Sequence, residues 1–315
     1  MPALALGLLW SWTAAAQFGS LSGPVVGYVV DAKTSDLRPV KGILGSATIG
    51  ERLDTGISPT FMVTLGPGHA IAVTKDGIEV LTLSVDAARI TRLPIPGLSG
   101  NASLVSVSLQ ATTAALYDAG AKQIQVVTGL PKEPRYRSAF PTKGAVGQMA
   151  VNDDGTLVVY SVAAVEGDLL YAWSAESGSA RFVTTAASVS GIALTQSGDA
   201  VVTDRGANEV FAIFDAGGGA VRRLLADVRE GVSEPVGIIA YSNRIYVANA
   251  GTAGVIVLDQ NGHYLKSQSC NCSLSGLAPM RESVFRLTDR MDQTIFLLDA
   301  SSTEERIVFV PPPLE

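Results

Sequence analysis

Polar side chains recur at one point of a repeated pattern in this chain, each at the end of a short apolar run. Two of them are followed by an arginine, Arg205 or Arg290. Carboxylate and amide oxygens that converge on one face of a protein could coordinate a hard cation such as calcium, or orient a polar ligand. The residues at this point are Thr74, Asp118, Ser161, Asp204, Asn249 and Asp289.

A structural role competes with this interpretation. Asp and Asn at strand ends commonly accept hydrogen bonds from nearby backbone N–H groups and so shape the following turn. We favour the structural role, and we keep Asp118, Asp204, Asn249 and Asp289 as the residues to test for an ion or ligand. The neighbouring arginines are expected to form exposed ion pairs, worth at most ~1 kcal/mol each.

The only two cysteines, Cys270 and Cys272, are separated by one residue. In an exported protein two such thiols could form a small disulfide, which is the state we favour. Reduced thiols, or a bond from one cysteine to another chain, are the alternatives. A four-ligand zinc site is not expected, because it would need two more ligands and the chain has only two histidines.

Histidine scarcity limits the chemistry further. His69 and His263 both lie near turns between predicted strands. Haem and copper centres commonly use His ligands, and a Ser-His-Asp hydrolase would need one of these two residues. The glycine-rich stretch Asp215–Val221 lacks the Lys-Ser/Thr that a phosphate-binding loop requires. No catalytic residue is therefore predicted.

The elements that position these residues are short strands in a repeated unit. In five of the six copies a second apolar run begins six residues after the polar residue. Another short run precedes the first, and a turn and a fourth run follow the second. Four short strands repeated roughly every 40–46 residues are typical of a β-propeller blade. Turn residues separate strands at Asp153–Gly155, Gln196–Gly198 and Gln260–Gly262.

Six full units and an N-terminal strand pair at Gly27–Ile43 predict seven blades, the first of them incomplete. A six-bladed ring, with this hairpin supplementing the last blade, is the alternative. Either ring must close, because an open stack would leave long unpaired edges. The predicted fold class is all-β, with a linker at residues 17–23 and a single β-propeller domain at 24–315.

The first 16 residues have the pattern of an export signal. An apolar run spans Ala3–Trp12, and Ala14–Ala16 supply a small-residue cleavage site. No Lys or Arg precedes the run, so an uncleaved hydrophobic arm is the alternative. No other stretch approaches about 18 uninterrupted apolar residues. We therefore expect cleavage near Ala16 and an extracytoplasmic protein, periplasmic or secreted, with no membrane span in the mature chain.

Composition argues against two classes of partner. The chain has 47% hydrophobic and 17% charged residues, and its net charge is −6. It contains no basic block, so the electrostatic footprint of a nucleic-acid-binding protein is missing. Anionic membrane surfaces are unfavourable partners for the same reason. The apolar excess suits many buried strands.

The stretch Ile245–Asp259 resembles the YVTN family of propeller repeats, found in bacterial and archaeal surface-associated proteins. Val201–Asp215 and Phe285–Asp299 match the same pattern in part. The resemblance implies a ring-shaped, exported binding or scaffold protein. It carries over no catalytic residue, because a propeller motif reports a blade and not a reaction.

Two functions from different classes follow. The first is a non-enzymatic exported propeller that binds a protein, peptide or glycan through one face of the disc. The second is a lactonase- or hydrolase-like propeller with a divalent cation at its central channel, held by Asp118, Asp204, Asn249 and Asp289. No cofactor is expected in the first case, and calcium is the candidate in the second. A structural envelope protein that self-associates is a third possibility.

Overall fold

The strands of the chain form seven separate antiparallel sheets in a computed structural model that describes residues 23–31, 34–83, 90–98, 101–288 and 293–312. In each sheet the strands pair in the order in which they occur along the chain. This arrangement is a seven-bladed β-propeller. The predicted signal peptide at residues 1–16 and most of the predicted linker lie outside the described residues.

We number the blades along the chain and letter their strands A to D from the channel outwards. Among the described residues, blade 1 contains three strands and the other six blades contain four each. Blades 1 to 3 consist of β1 (Val25–Val30), β2 (Leu37–Ile43), β3 (Ser46–Ile49); β4 (Phe61–Thr64), β5 (His69–Thr74), β6 (Gly77–Leu83), β7 (Ile90–Pro94); β8 (Leu104–Val107), β9 (Thr113–Asp118), β10 (Gln123–Thr128) and β11 (Arg135–Pro141).

The remaining blades follow the same four-stranded plan. Blades 4 and 5 consist of β12 (Val146–Val151), β13 (Leu157–Ala164), β14 (Gly167–Ser174), β15 (Ser179–Ala186); β16 (Val189–Leu194), β17 (Ala200–Asp204), β18 (Glu209–Phe214) and β19 (Val221–Ala226). Blades 6 and 7 consist of β20 (Pro235–Tyr241), β21 (Arg244–Asn249), β22 (Gly254–Asp259), β23 (Tyr264–Ser269); β24 (Ala278–Arg281), β25 (Val284–Arg286), β26 (Ile295–Asp299) and β27 (Arg306–Val310).

The ring closes where blade 7 packs on blade 1. Strand β24 contacts β1, and β27 contacts β3. Val26 and Ala47 of blade 1 share one buried cluster with Met280 and Val308 of blade 7. The prediction of seven blades with an incomplete first blade is confirmed. The six-bladed alternative is wrong, because β1–β3 form a sheet of their own and blade 7 has its own four strands.

The hydrophobic core is divided among the interfaces between neighbouring blades. Alternate residues of a B strand face opposite neighbours: Ile71 and Val73 pack towards blade 3, whereas Ala70 and Ala72 pack towards blade 1. A strand that is buried on both faces has a continuous apolar sequence, without the alternation of apolar and polar residues seen in a half-exposed strand. This explains why the sequence is rich in apolar residues and poor in charge.

Glycines in the inner strands let neighbouring blades approach each other. A Cβ at Gly237 would lie 2.6 Å from the backbone nitrogen of Leu277 in blade 7. At Gly217, by contrast, a Cβ would meet only Leu157 Cδ1, at an ordinary 3.7 Å. Neither glycine has the left-handed backbone that a side chain disfavours.

We therefore expect Gly237→Ala to lower the free energy of unfolding by about 2 kcal/mol through overpacking of the inner ring. Gly217→Ala is the matched control and should change it by less than about 0.5 kcal/mol. Urea denaturation followed by circular dichroism measures both. Equal effects of the two substitutions would contradict close packing at Gly237.

The meander places different turns on the two faces of the disc. The A–B and C–D turns lie on one face, here called the AB face. The B–C turns and the connections between blades lie on the other, here called the BC face. The turns predicted at Asp153–Gly155, Gln196–Gly198 and Gln260–Gly262 all lie on the AB face, and each ends on a glycine with positive φ.

Blade 4 departs from the predicted strand ends. Its B and C strands have eight residues each and pair from Leu157↔Ser174 to Ala164↔Gly167. Ser161 therefore lies inside β13 and not at its end. The only helix in the described ranges is a single 3-10 turn at Val228–Glu230, and none there is long and apolar enough to cross a bilayer.

Candidate functional site

Five of the polar residues aligned in the sequence are buried, each within its own blade. Exposed fractions are 1% for Asp204 and 0% for Asn249, and Thr74, Asp118 and Ser161 are buried as well. Asp289 and Arg290 lie outside the described residues. Within the described ranges, no three His, Cys, Asp or Glu side chains come together as a set of metal ligands.

Asp204 binds the backbone of two loops at once. Its Oδ1 accepts hydrogen bonds from the backbone N–H groups of Ser188, Gly206 and Ala207, at 2.9, 3.0 and 3.2 Å. Its Oδ2 accepts from Ala187 N–H at 2.7 Å. The carboxylate thus fixes both the B–C turn that follows it and the connection that enters its blade.

Asn249 has the corresponding role in blade 6. Its Oδ1 accepts from Ser233 N–H at 3.3 Å, and its Nδ2 donates to the Gly231 carbonyl at 3.0 Å. In blade 4, Ser161 Oγ accepts from Gln148 N–H at 3.0 Å. Asn249 and Asp204 therefore satisfy backbone groups where one blade leads into the next, whereas Ser161 bonds the A strand of its own blade.

The remaining members of the set bond within their own turns. Asp118 Oδ1 accepts from Ala121 N–H at 3.0 Å. Thr74 Oγ1 donates to the Gly77 carbonyl at 3.0 Å. Arg205 forms an ion pair with Glu234 at 2.8 Å, and both side chains are more than half exposed. An exposed pair of this kind contributes at most ~1 kcal/mol.

This geometry leads us to expect no effect of calcium on thermal stability. An ion that binds the folded state at about 100-fold over its Kd would add roughly 2.7 kcal/mol, or on the order of 5 °C in Tm for a chain of this size. Melting curves in excess calcium and in excess EDTA measure the effect. A shift of that size, abolished in Asp204→Asn, would restore the ion-binding hypothesis.

Cys270 and Cys272 form a disulfide with a Cα–Cα distance of 5.2 Å. Cys270 directly follows β23, and its backbone N–H donates to the Ala253 carbonyl. Both cysteines contact the apolar cluster between blades 6 and 7. The bond therefore fixes the connection between these two blades next to their shared core.

A cavity opens on the opposite face, where the sequence pattern indicated nothing. It has a volume of about 640 Å³ and is lined by A–B turns from blades 2, 3, 5, 6 and 7. We call it the AB mouth. Its walls combine apolar side chains with amides and hydroxyls, represented by Leu109, Gln110, Gln196, Tyr241, Asn243 and Gln260.

Local sequence explains how blade 6 supplies the largest share of this wall. Ser242 and Asn243 both have positive φ, 49° and 62°, and form the two-residue turn between β20 and β21. Two consecutive positive φ values define a type I′ turn, whose twist matches that of the hairpin it joins. Tyr241, just before the turn, packs edge-on against Phe285 of blade 7 at 5.6 Å.

A buried carboxylate neutralises one of the charges of the AB mouth. Glu305, in the C–D turn of blade 7, forms ion pairs with Arg244 and Lys266 of blade 6. Tyr246 Oη donates to the same carboxylate at 3.1 Å. Burial and the neighbouring Glu305 carboxylate raise the pKa of Tyr246 to about 12, so its hydroxyl stays protonated at neutral pH. Arg281 and Glu282 are the other charged residues in the described lining.

The AB mouth leads into the axial channel. The channel cavity also has a volume of about 640 Å³ and is lined by the A strands of the blades. Thr64, Val107, Leu109, Ala240 and Pro279 line both cavities. The two are therefore parts of one continuous space.

Comparison with known proteins supports the fold. No family model matches this sequence, and no curated protein matches it. Among solved structures, hydrazine synthase of Kuenenia stuttgartiensis is similar with a TM-score of 0.57 and 12% identity, over 93% of this chain and 98% of that chain. Virginiamycin B lyase from Staphylococcus aureus gives a TM-score of 0.51 and 12% identity, over 92% and 86%.

A chain from a nidogen/laminin complex gives a TM-score of 0.50 and 12% identity, over 79% of this chain and 96% of that one. The chain is a β-propeller. At 12% identity these similarities establish the fold alone. Membership of the YVTN family stays a prediction.

Proposed function

We propose that this propeller is a non-enzymatic binding or scaffold module that recognises a protein, peptide or glycan at the AB mouth. The convergence of turns from five blades on one cavity carries the proposal. Ligand sites are commonly concave, mostly apolar, and lined by a few convergent polar groups. Arg244, one of the mouth's charged residues, is already paired with buried Glu305.

We place this activity outside the cytoplasm. The N-terminal apolar run, with its small-residue cleavage site, supports export. The disulfide between Cys270 and Cys272 also supports it, because disulfides persist mainly in oxidising compartments. Detection of the protein in periplasmic or culture fractions, with an N-terminus near Gln17, tests this part of the proposal.

Photo-crosslinking from two positions of blade 5 tests the binding face. Gln196 lies on the AB mouth, and Ala207 lies in the B–C turn on the opposite face; both are exposed. A benzophenone amino acid at position 196 should give a discrete adduct in the native host, and the same group at position 207 should give none. For a glycan ligand, we expect glycan-array binding that Gln196→Arg abolishes. Adducts from position 207 alone would overturn the assignment of the AB mouth.

A further inference from the structure

The wall of the axial channel is apolar over most of its length. Val63, Val105, Ile192 and Leu194 line this space, and each of them is only partly buried. Asp31 and Arg286 are the only charged residues in the described lining. An apolar cavity holds water poorly and favours apolar ligand groups. The channel therefore suits an apolar group better than a sugar or a phosphate.

The rim of the AB mouth, in contrast, carries primary amides. Gln260 Nε2 donates to Asn243 Oδ1 at 2.8 Å across the two turns of blade 6. Both side chains are exposed, and this bond leaves Gln260 Oε1 able to accept and the Asn243 amino group able to donate a further hydrogen bond. Gln110 and Gln196 add further amides from blades 3 and 5.

Such a pair matches the chemistry of a peptide group, which also offers one donor and one acceptor. A hydrocarbon chain has neither group, so an acyl chain would occupy the channel without forming hydrogen bonds to the rim amides. An extended peptide segment uses both features. Its apolar side chains enter the channel and its main chain binds the amides.

We propose that the AB mouth and the channel together bind an exposed apolar segment of a partner protein. Two or three apolar side chains of the segment occupy the channel next to Val107 and Leu194, and its peptide groups bind Asn243 and Gln260. The inference rests on the proposed function, because it names the ligand class for the same cavity.

A phage-displayed random dodecapeptide library, selected on the immobilised protein, tests this ligand class. We expect the selected peptides to share a run of three or more apolar residues. Fluorescence polarisation of the synthetic peptides should then show binding at least about tenfold weaker to Leu194→Lys, because a charge replaces apolar contact in the channel. The near-isosteric Val107→Thr should weaken binding by about threefold without altering the shape of the channel.

Controls separate this inference from the proposed function. Val221→Lys makes a similar change on the exposed outer strand of blade 5 and should leave affinity within about twofold. Selected peptides that lose affinity in Gln196→Arg but not in Leu194→Lys or Val107→Thr would overturn the channel assignment and leave the AB mouth as the binding face. Recovery of no apolar peptides would overturn the inference. So would dodecanoate binding that depends on Leu194 but not on Gln260, since that result would assign the channel to an acyl chain.

Discussion

Replacing Asp204 by alanine is expected to lower the free energy of unfolding by about 3 kcal/mol, among the largest effects of a single substitution in this chain. The carboxylate is 1% exposed and accepts four backbone hydrogen bonds. Alanine would leave these N–H groups without their acceptor and would open a gap where the buried carboxylate lies. For a chain of this length the change corresponds to a fall in Tm of roughly 5 °C.

Graded variants distinguish this role from a general effect of charge. Asp204→Asn keeps one carbonyl oxygen but turns an amino group towards some of the N–H donors. Its loss of unfolding free energy should therefore lie between zero and the loss in Asp204→Ala. Arg205→Ala, at the next position, removes only an exposed ion pair with Glu234 and should cost less than about 1 kcal/mol. Urea denaturation measures all three. Equal losses for Asp204→Ala and Arg205→Ala would contradict the proposed bonding role.

The sequence predicted the architecture well because the repeat is local. A short apolar run that ends in Asp or Asn, followed by a second run six residues later, identifies a B–C hairpin without knowledge of the rest of the chain. Turn signals such as Gln196–Gly198 fix the adjacent loops. Each blade is built from neighbouring strands, so few long-range contacts had to be guessed.

The candidate site was harder to predict. The position of a residue at the end of a strand shows on which face of the disc it lies, but it does not show what its side chain binds. The alignment of Asp118, Asp204 and Asn249 correctly placed them at the ends of B strands. Whether a carboxylate faces solvent or a backbone N–H depends on how the connection between blades returns past it. The path of residues 187–189 beside Asp204 is a tertiary property.

The AB mouth was missed because its residues share no motif. Gln110, Asn243 and Gln260 come from turns of different length and type, and they meet only when the ring closes. One signal was available: side-chain amides recur in the A–B turns at Gln110, Gln196 and Asn243. The network around Glu305 is likewise invisible in sequence, because its partners are about 40 and 60 residues away.

A second large effect is expected at Glu305, whose side chain is 0% exposed. Glu305→Gln removes the charge that faces Arg244 and Lys266, and we expect a loss of about 3 kcal/mol in the free energy of unfolding. This loss is at the low end of the range for removing one partner of a buried ion pair. The reason is that the side chains of Arg244 and Lys266 are 30% and 34% exposed, so water can hydrate them once the carboxylate is gone. Glu304→Gln is the matched control: it removes the same charge from an exposed neighbour in the same turn.

The dependence of this effect on pH follows from the pKa of Glu305. Burial alone would raise this pKa. Hydrogen bonds from Lys266, from backbone and from Arg244, together with the charge of Arg244, outweigh burial and hold the pKa below its ordinary value of 4.5. A carboxyl whose pKa is lower in the folded than in the unfolded protein stabilises the fold fully above its unfolded pKa. That stabilisation is lost as the pH falls through the folded pKa.

The difference in stability between the native chain and Glu305→Gln should therefore be constant from neutral pH down to about pH 5. It should shrink below pH 4.5, where the unfolded carboxyl becomes protonated. Urea denaturation of both proteins between pH 3 and pH 7 measures it. A difference that grows on acidification would mean that the carboxyl is already neutral in the folded protein. In that case Arg244 would not be neutralised, and the AB mouth would carry an uncompensated cation that favours an acidic ligand.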